Sequence, residues 1–253
     1  MKIVVGIPAR MGSSRFPGKP LCDILGSPMI EHVYKRCLLA KSVDEVFVAT
    51  CDKEIEEKVK EFNGKSIMTK KNISRPGLRV AEACKKLKLN NEDIVVIAQG
   101  DEPLVYPDMI DVAVEPLIKD NTVFCVNLAR EATENEWKDT NEIKVVTDLQ
   151  NNAIYMSRSP IPSNTRGKIK ERLKQVCVMP FKKKNLVEFQ NLNPTPLEIV
   201  ESIEMLRAIE HGYKVRIVKT NFLTKSVDTE KDRKDVEKLM KKDQIFNKYI
   251  KRK

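Results

Sequence analysis

No stretch of this 253-residue chain holds the roughly 20 consecutive apolar residues that a bilayer crossing needs. Met1-Lys2 leads at once into "IVVGI" rather than into a longer leader with a small-residue cleavage site, so a soluble, cytoplasmic protein is expected. The six cysteines form no CxxC pair, and several sit inside apolar runs such as "FCV" and "VCV". Reduced core thiols are therefore expected, not a disulfide frame or a zinc site. Histidine is scarcer still: His32 and His211 are the only two, which excludes a histidine-rich metal cluster. Any metal must be held by oxygen, which favours magnesium, calcium or manganese. Aromatic residues make up only 6% of the chain, too few to stack bases, and this weighs against a nucleic-acid partner despite a net charge of +10. Residues 231–253 alone hold ten Lys/Arg against four Asp/Glu, so most of that excess lies on one terminal amphipathic stretch that reads as a solvated helix. Repeats, low-complexity tracts and long linkers are missing too, and no firm domain boundary is legible.

What is present is a normal supply of core: 41% of residues are apolar, enough for one sizeable α/β domain or two small ones. In the first half, short β-branched runs alternate with helical patterns. "KIVVGI" precedes a helix from about Pro28 to Ala40, "EVFVAT" a helix from Asp52, and "DIVVIAQ" a helix from about Pro107, followed by "TVFCVN". Continuous apolar strands bounded by helices predict a doubly wound, mainly parallel sheet covered on both faces, with ligands at the carboxyl ends of its strands. Three segments fall there: the loop 8–20, "TCDKE" and "QGDEP". The second half is less regular. "EIKVVTDLQNNAIYMSR" predicts a hairpin turning at Asn151-Asn152. "SPIPSNTRGK" has a loop's composition, and "QVCVMPF" reads as one strand. "TPLE" predicts a helix capped by Thr195, with Pro196 at its first position and Glu198 closing the cap.

The loop "IPARMGSSRFPGKPL" carries most of the recognisable chemistry. Gly12, Ser13 and Ser14 let backbone N–H groups approach an anion, Arg10 and Arg15 offer forked donors, and Lys19 supplies a point charge that reaches along a polyphosphate. Pro20 stands where a P-loop has its hydroxyl, and GxGxxG is absent, so neither standard phosphate motif applies. Chemistry alone leaves both a triphosphate grip and a plain solvated turn open. In "QGDEP", Asp101 directly follows a buried strand, where a carboxylate is costly unless it is hydrogen-bonded or holds a cation. It either caps the next turn or provides a magnesium ligand beside the phosphates. Asp228 in "SVDTEKD" stands where an N-cap is wanted, with Lys231 at the third position, so capping without a full box accounts for it. Only partnership with Asp101 would make it a metal ligand.

These segments, with "PMIEHVYKR", "VFVATCD", "YMSRSPIP" and "TPLEIVESIEMLRAIEHGYKVRIV", closely resemble the CMP-sugar synthetases. Within them the chain is most similar to the 3-deoxy-manno-octulosonate cytidylyltransferase group, whose members open with I-P-A-R-x-x-S-x-R-x-P-G-K-P-L. The match runs in order along nearly the whole chain. It implies a single domain over 1–253 of the nucleotide-diphospho-sugar transferase type, with about 140–212 as a sugar-acid-binding and dimerisation region. It further implies that CTP lies on Pro8, Ala9, Arg10, Gly12, Ser13, Ser14 and Lys19, with Arg75, Arg79 and Gln99 nearby, and that Asp101 and Asp228 share Mg2+. Arg10, Lys19, Asp101 and Asp228 would then be the catalytic set. Gln99, Arg158, Gln175, Met179 and Glu201 would surround an acidic sugar, in a cytoplasmic homodimer serving a surface glycan such as lipopolysaccharide or capsule. Arg79 and Glu201 also read, without the family, as ordinary solvated or paired charges.

Two places depart from the family pattern. Its S-G-T-[DE]-R becomes Arg75-Pro76-Gly77-Leu78-Arg79, where Pro76 removes a donor and fixes φ. Its K-H-I-G-I-Y becomes "KQVCVM", with Gln175 for the histidine and Met179 for the tyrosine. The donor half is unchanged and the acceptor half altered. Alternatives to transfer of CMP to a Kdo-like acid are therefore a different ulosonic acid, a phosphate- or phosphonate-bearing acceptor, or an inactive nucleotide-binding homologue.

Overall fold

A computed structural model describes residues 1–13 and 15–250; Ser14, one of the expected phosphate contacts, lies outside the described residues. The chain opens with β1 (Ile3–Ala9), then a small hairpin of β2 (Asp23–Ile24) and β3 (Ser27–Pro28), and α1 (Met29–Cys37). Next come β4 (Glu45–Thr50), α2 (Lys53–Glu61), β5 (Ser66–Met68), α3 (Pro76–Cys84), β6 (Ile94–Ala98), α4 (Pro107–Lys119) and β7 (Cys125–Glu131). The second half contributes α5 (Glu134–Lys138), β8 (Lys144–Thr147), β9 (Ala153–Ser157), β10 (Leu173–Val176), β11 (Val178–Lys182) and α6 (Lys183–Asn191). It closes with α7 (Pro196–Glu201), α8 (Met205–Glu210), β12 (Val215–Lys219), α9 (Glu230–Met240) and α10 (Phe246–Tyr249).

One ten-stranded sheet organises these elements in the order β5-β4-β1-β6-β11-β7-β10-β8-β9, with β12 also on β7. The β5-β4-β1-β6 half is parallel, as the β-branched runs predict. β1 is buried along its whole length because helices cover both faces. At Gly6 a side chain would meet Val80 Cγ1 at 2.5 Å and the Phe47 ring at 2.8 Å, so only glycine lets α3 pack this closely. Beyond β6 the path from β11 to β9 is antiparallel, while β12 joins β7 in parallel. "QVCVMPF" is not one strand: Val176 opposes Leu128 and Phe181 opposes Cys125, so it uses more residues than β7 over the same stretch, and it breaks at Cys177. The break lets β10 reach β8 while β11 fills the gap between β6 and β7.

The hairpin of β8 and β9 is present, its turn held by Asp148, whose carboxylate accepts from the N–H groups of Gln150 and Asn152, with Asn151 in the left-handed region at φ 61°. Thr195 does cap α7 by position, but Glu198 does not close a capping box. Its carboxylate is buried and takes both arms of Arg207 instead. Asp228 is not the cap of α9 either. The box is one residue further on, where the Thr229 side chain accepts from Asp232 N–H and Asp232 returns a bond to Thr229 N–H, which leaves Asp228 free for other work. All six cysteines are free, and burial pushes Cys22 up to about 11 and Cys37 and Cys84 up to about 12. Such thiols stay protonated and serve as core. The terminal helix carries acid as well as base: Arg233 pairs with Glu230 and Glu237, and Asp235 with Lys225 and Lys238. No helix among the described residues is long and apolar enough to cross a membrane.

Candidate active site

The loop after β1 folds back on itself. Met11 O accepts from both Ser13 N–H and Gly18 N–H, Ser13 Oγ accepts from Phe16 N–H, and Met11 N–H is tied to Asp52 Oδ2 at the start of α2. Gly18 at φ 72° turns the chain so that Lys19 opens a short 3-10 turn and points into the site. Opposite, β6 is followed directly by Gln99 and Gly100. A Cβ on Gly100 would stand 2.7 Å from Pro8 O, so the glycine allows the loop after β6 to lie directly against β1. The third wall comes from the far end of the chain, where Val227 N–H donates to Asp101 O and brings Asp228 beside Asp101.

Between these walls is a cavity of about 280 Å³ that includes Pro8, Ala9, Arg10, Gly12, Ser13 and Lys19 from the loop. Arg15, Arg79, Gln99, Asp101 and Asp228 also line it. Lys19 Nζ donates to Asp101 Oδ2 at 2.8 Å and to Asp228 Oδ1 at 3.0 Å, and Arg15 reaches the same Asp228 oxygen at 3.1 Å. Burial alone would lower the Lys19 pKa, but the two carboxylates outweigh it and raise it, so the ammonium is charged throughout the physiological range. Both carboxylates thus converge on one point, the Lys19 ammonium.

A second, larger cavity of about 690 Å³ adjoins the first and shares Arg15, Gln99, Asp101 and Asp228 with it. Arg158 and Gln175 line it. Its floor holds residues that sequence reasoning passed over. Lys174 is buried and bridges Glu136 at 3.0 Å and Glu142 at 2.6 Å, while Arg130 also pairs with Glu136. The Glu102 carboxyl is pushed up to about 8, by burial and then by the neighbouring Asp101 charge, and one of its oxygens is buried without a partner. The signal for Lys174 was there to be used, since a lysine in an apolar strand must find an acid.

Three expected site residues stand elsewhere. Arg75 precedes α3, whose first position is Pro76, and the chain direction there turns its guanidinium outward to Ser202 Oγ at 2.9 Å and towards Glu198 at 3.8 Å. Met179 is in the core, 4% exposed, because β11 is a central strand; its sulfur lies 4.0 Å from the Gln175 amide nitrogen of β10, so the two altered positions touch across the break at Cys177. Glu201 faces neither cavity. Its carboxylate accepts from Tyr155 OH, Ser157 Oγ and Arg158 N–H, bonds that outweigh its burial and hold its pKa below the usual carboxylate range. It anchors Arg158, whose Nε donates to Glu201 O and whose Nη1 donates to the carbonyls of Thr140 and Asn141. Arg79 does line the first cavity, but it is buried rather than solvated, and its guanidinium holds the loop 69–73 through Thr69 Oγ1 and the carbonyls of Lys70 and Ile73.

The segment bearing Asp228 is strapped down by packing against α1 and the small β2–β3 hairpin. Val227, Val236 and Met240 pack on Ile24, Met29 and Leu104, and Arg36 of α1 forms a buried pair with Asp243. His32 completes the strap, with Nε2 2.7 Å from Ile24 O and Nδ1 2.9 Å from Tyr249 OH. A carbonyl can only accept, so Nε2 carries the proton and Nδ1 accepts from the phenol. Burial, with Arg36 close by, lowers the His32 pKa. The folded state therefore binds this proton less readily than the unfolded chain. The contribution of His32 is full above 6.5, the ordinary imidazole value, and is lost as pH falls below it. The thermal midpoint should fall from pH 7 to pH 5, and less steeply in a His32→Gln protein; parallel curves would contradict this.

Residues 4–227 match the family described as cytidylyltransferase. The chain belongs to that family. A 3-deoxy-manno-octulosonate cytidylyltransferase of Geobacter metallireducens is 41% identical, over 94% of this chain and 98% of that protein. An 8-amino-3,8-dideoxy-manno-octulosonate cytidylyltransferase of Shewanella pealeana is 39% identical, over 92% and 96%. Among solved structures, a CMP:2-keto-3-deoxy-manno-octonic acid synthetase complexed with CTP superposes with a TM-score of 0.89 at 35% identity, covering 96% of this chain and 99% of that one. The cytidylyltransferase fold, a mainly parallel sheet with flanking helices, is thus shared over almost the full length.

Proposed function

We propose that the chain is a magnesium-dependent cytidylyltransferase that joins CTP to a 3-deoxy-2-ulosonic acid of the Kdo type, releasing pyrophosphate. The observation that carries this reading is the meeting of two cavities at Asp101 and Asp228. One is lined by a backbone-rich cationic loop and the other contains Arg158. The relatives named above act on such acids, and the similar solved structure holds CTP.

In this reading the triphosphate lies along Gly12, Ser13 and Lys19, with Arg10 and Arg15 as further donors, and the cytosine end extends towards Pro8 and Arg79. The acceptor occupies the larger cavity with its carboxylate towards Arg158. Its anomeric hydroxyl attacks the α-phosphorus in line: the new O–P bond forms as the bond to the bridging oxygen breaks, and the hydroxyl proton passes to solvent. Asp101 and Asp228 fit a magnesium ion, since both offer hard carboxylate oxygens to one position already suited to a cation. Among the described residues there is no group of three or more His, Cys, Asp or Glu that would hold a metal unaided. Phosphate oxygens and water would have to supply the remaining ligands. When bound, magnesium supplies Lewis acidity, lowering the pKa of the hydroxyl and shielding the α-phosphate. The protein's own contribution is position and charge: Lys19, Arg10 and Arg15 meet the charge that develops on the phosphoryl oxygens, and the fixed Arg158 aims the acceptor.

A homodimer through residues about 140–212, in the cytoplasm and serving a lipopolysaccharide or capsule, belongs to the same proposal. It is supported by the apolar side chains this region leaves in water, Ile154, Ile199 and Val200 among them. The test is pyrophosphate release with CTP, magnesium and a panel of acids: 3-deoxy-manno-octulosonate first, then its 8-amino-3,8-dideoxy form, then phosphate-bearing acids. Turnover with either octulosonate supports the reading; turnover only with phosphate-bearing acids would replace its acceptor half.

A further inference from the structure

Lys19 occupies the place where the proposed metal ligands converge. Its ammonium is within 3.0 Å of one oxygen from each aspartate, its side chain is only 13% exposed, and Arg15 holds the same oxygen of Asp228. Asp232 in the first turn of α9, whose carboxylate accepts from Asp228 N–H, is committed to capping that helix. A divalent cation arriving alone would gain two carboxylates but would have to expel Lys19, leaving a half-buried ammonium without an anion. A triphosphate reverses that balance, because it gives Lys19 and Arg15 new anionic partners and gives the cation additional oxygens.

We propose that Lys19 is a place-holder cation: it keeps Asp101 and Asp228 together, excludes free divalent metal from between them, and releases the position only to a metal that arrives with the triphosphate. This rests on the reading of the two aspartates as metal ligands. It adds a role for Lys19 before substrate binds, and it makes loading of metal and nucleotide a single event. The chain never carries two uncompensated carboxylates side by side, which would repel each other across a short gap.

The test follows manganese, as a spectroscopic substitute for magnesium, by the loss of the free-ion paramagnetic resonance signal on binding. It uses the whole protein with no acceptor present. Wild type with manganese alone should bind weakly. Lys19→Met and Lys19→Gln proteins should bind manganese alone about tenfold or more tightly, and adding Asp101→Asn to either should abolish the gain. Two substitutions guard against a local collapse peculiar to one of them. If both bind manganese no better than wild type, while wild type takes it up with CTP in excess of what CTP alone holds, the place-holder role fails and the metal reading stands. If no protein takes up manganese with or without CTP, the metal reading fails, and the proposal with it.

Discussion

Asp101→Asn is expected to lower turnover by about 10²–10³-fold, the loss typical when one preorganised charge-stabilising group is removed from a transition state. The substitution keeps the side chain's shape and its neighbours, and removes the one property a metal ligand and a Lys19 partner both need. The fold should be unaffected, since Asp101 is about a third exposed and its backbone bond to Val227 does not involve the side chain. Asp228→Asn should behave alike. On the proposed reading the double variant should lose much less than the product of the two, because residues that share one ion act as a unit. Rapid-quench measurement of pyrophosphate, with circular dichroism as the control for folding, decides it. An Asp101→Asn protein of wild-type activity would remove this carboxylate from the chemistry altogether.

Glu198→Ala is expected to destabilise the fold by about 3–5 kcal/mol, because it leaves a buried guanidinium without its anion. Glu198 is 1% and Arg207 3% exposed, and their bonds of 2.7 and 2.6 Å are bidentate, with the guanidinium also over the Phe189 ring. For a chain of this size the thermal midpoint should drop by roughly 6–20 °C. A Glu198→Leu, Arg207→Met protein should recover most of that, since a well-packed apolar pair carries no charge to desolvate. A single variant melting like wild type would show the pair to be dispensable. The loss should also reach the acceptor side, because α7 ends in the Glu201 that secures Arg158.

The donor half was legible because its determinants are local. The β-branched run of β1, the loop chemistry from Arg10 to Lys19 and a carboxylate directly after β6 lie within short windows, where periodicity and side-chain type suffice. The acceptor half depends on contacts between distant segments. Lys174 meets Glu136 and Glu142 only once the antiparallel part of the sheet is assembled, and Arg75 turns away because Pro76 starts a helix whose direction the sequence does not state. The register change at Cys177 was hidden for the same reason: both pieces of "QVCVMPF" have strand composition, and only the neighbours of each reveal the break. The cap at α9 was misread by one residue. Asp228 and Thr229 are both good caps, and the choice fell to Thr229 because Asp232, three residues on, can reciprocate. That one-residue difference leaves the Asp228 carboxylate to Lys19 and Arg15.

Arg158 is fastened by three backbone carbonyls, those of Glu201, Thr140 and Asn141. An unrestrained arginine would give up on the order of 1 kcal/mol of rotamer freedom when a ligand immobilised it. Here that ordering has been completed during folding, and carbonyls take up its donors without neutralising its charge. On the proposed reading the acceptor thus meets a rigid cation. Because the anchors are main-chain atoms, substitution at 140 or 141 should leave it in place, whereas Glu201, whose carboxylate also accepts from Arg158 N–H, is where a side-chain change should loosen it.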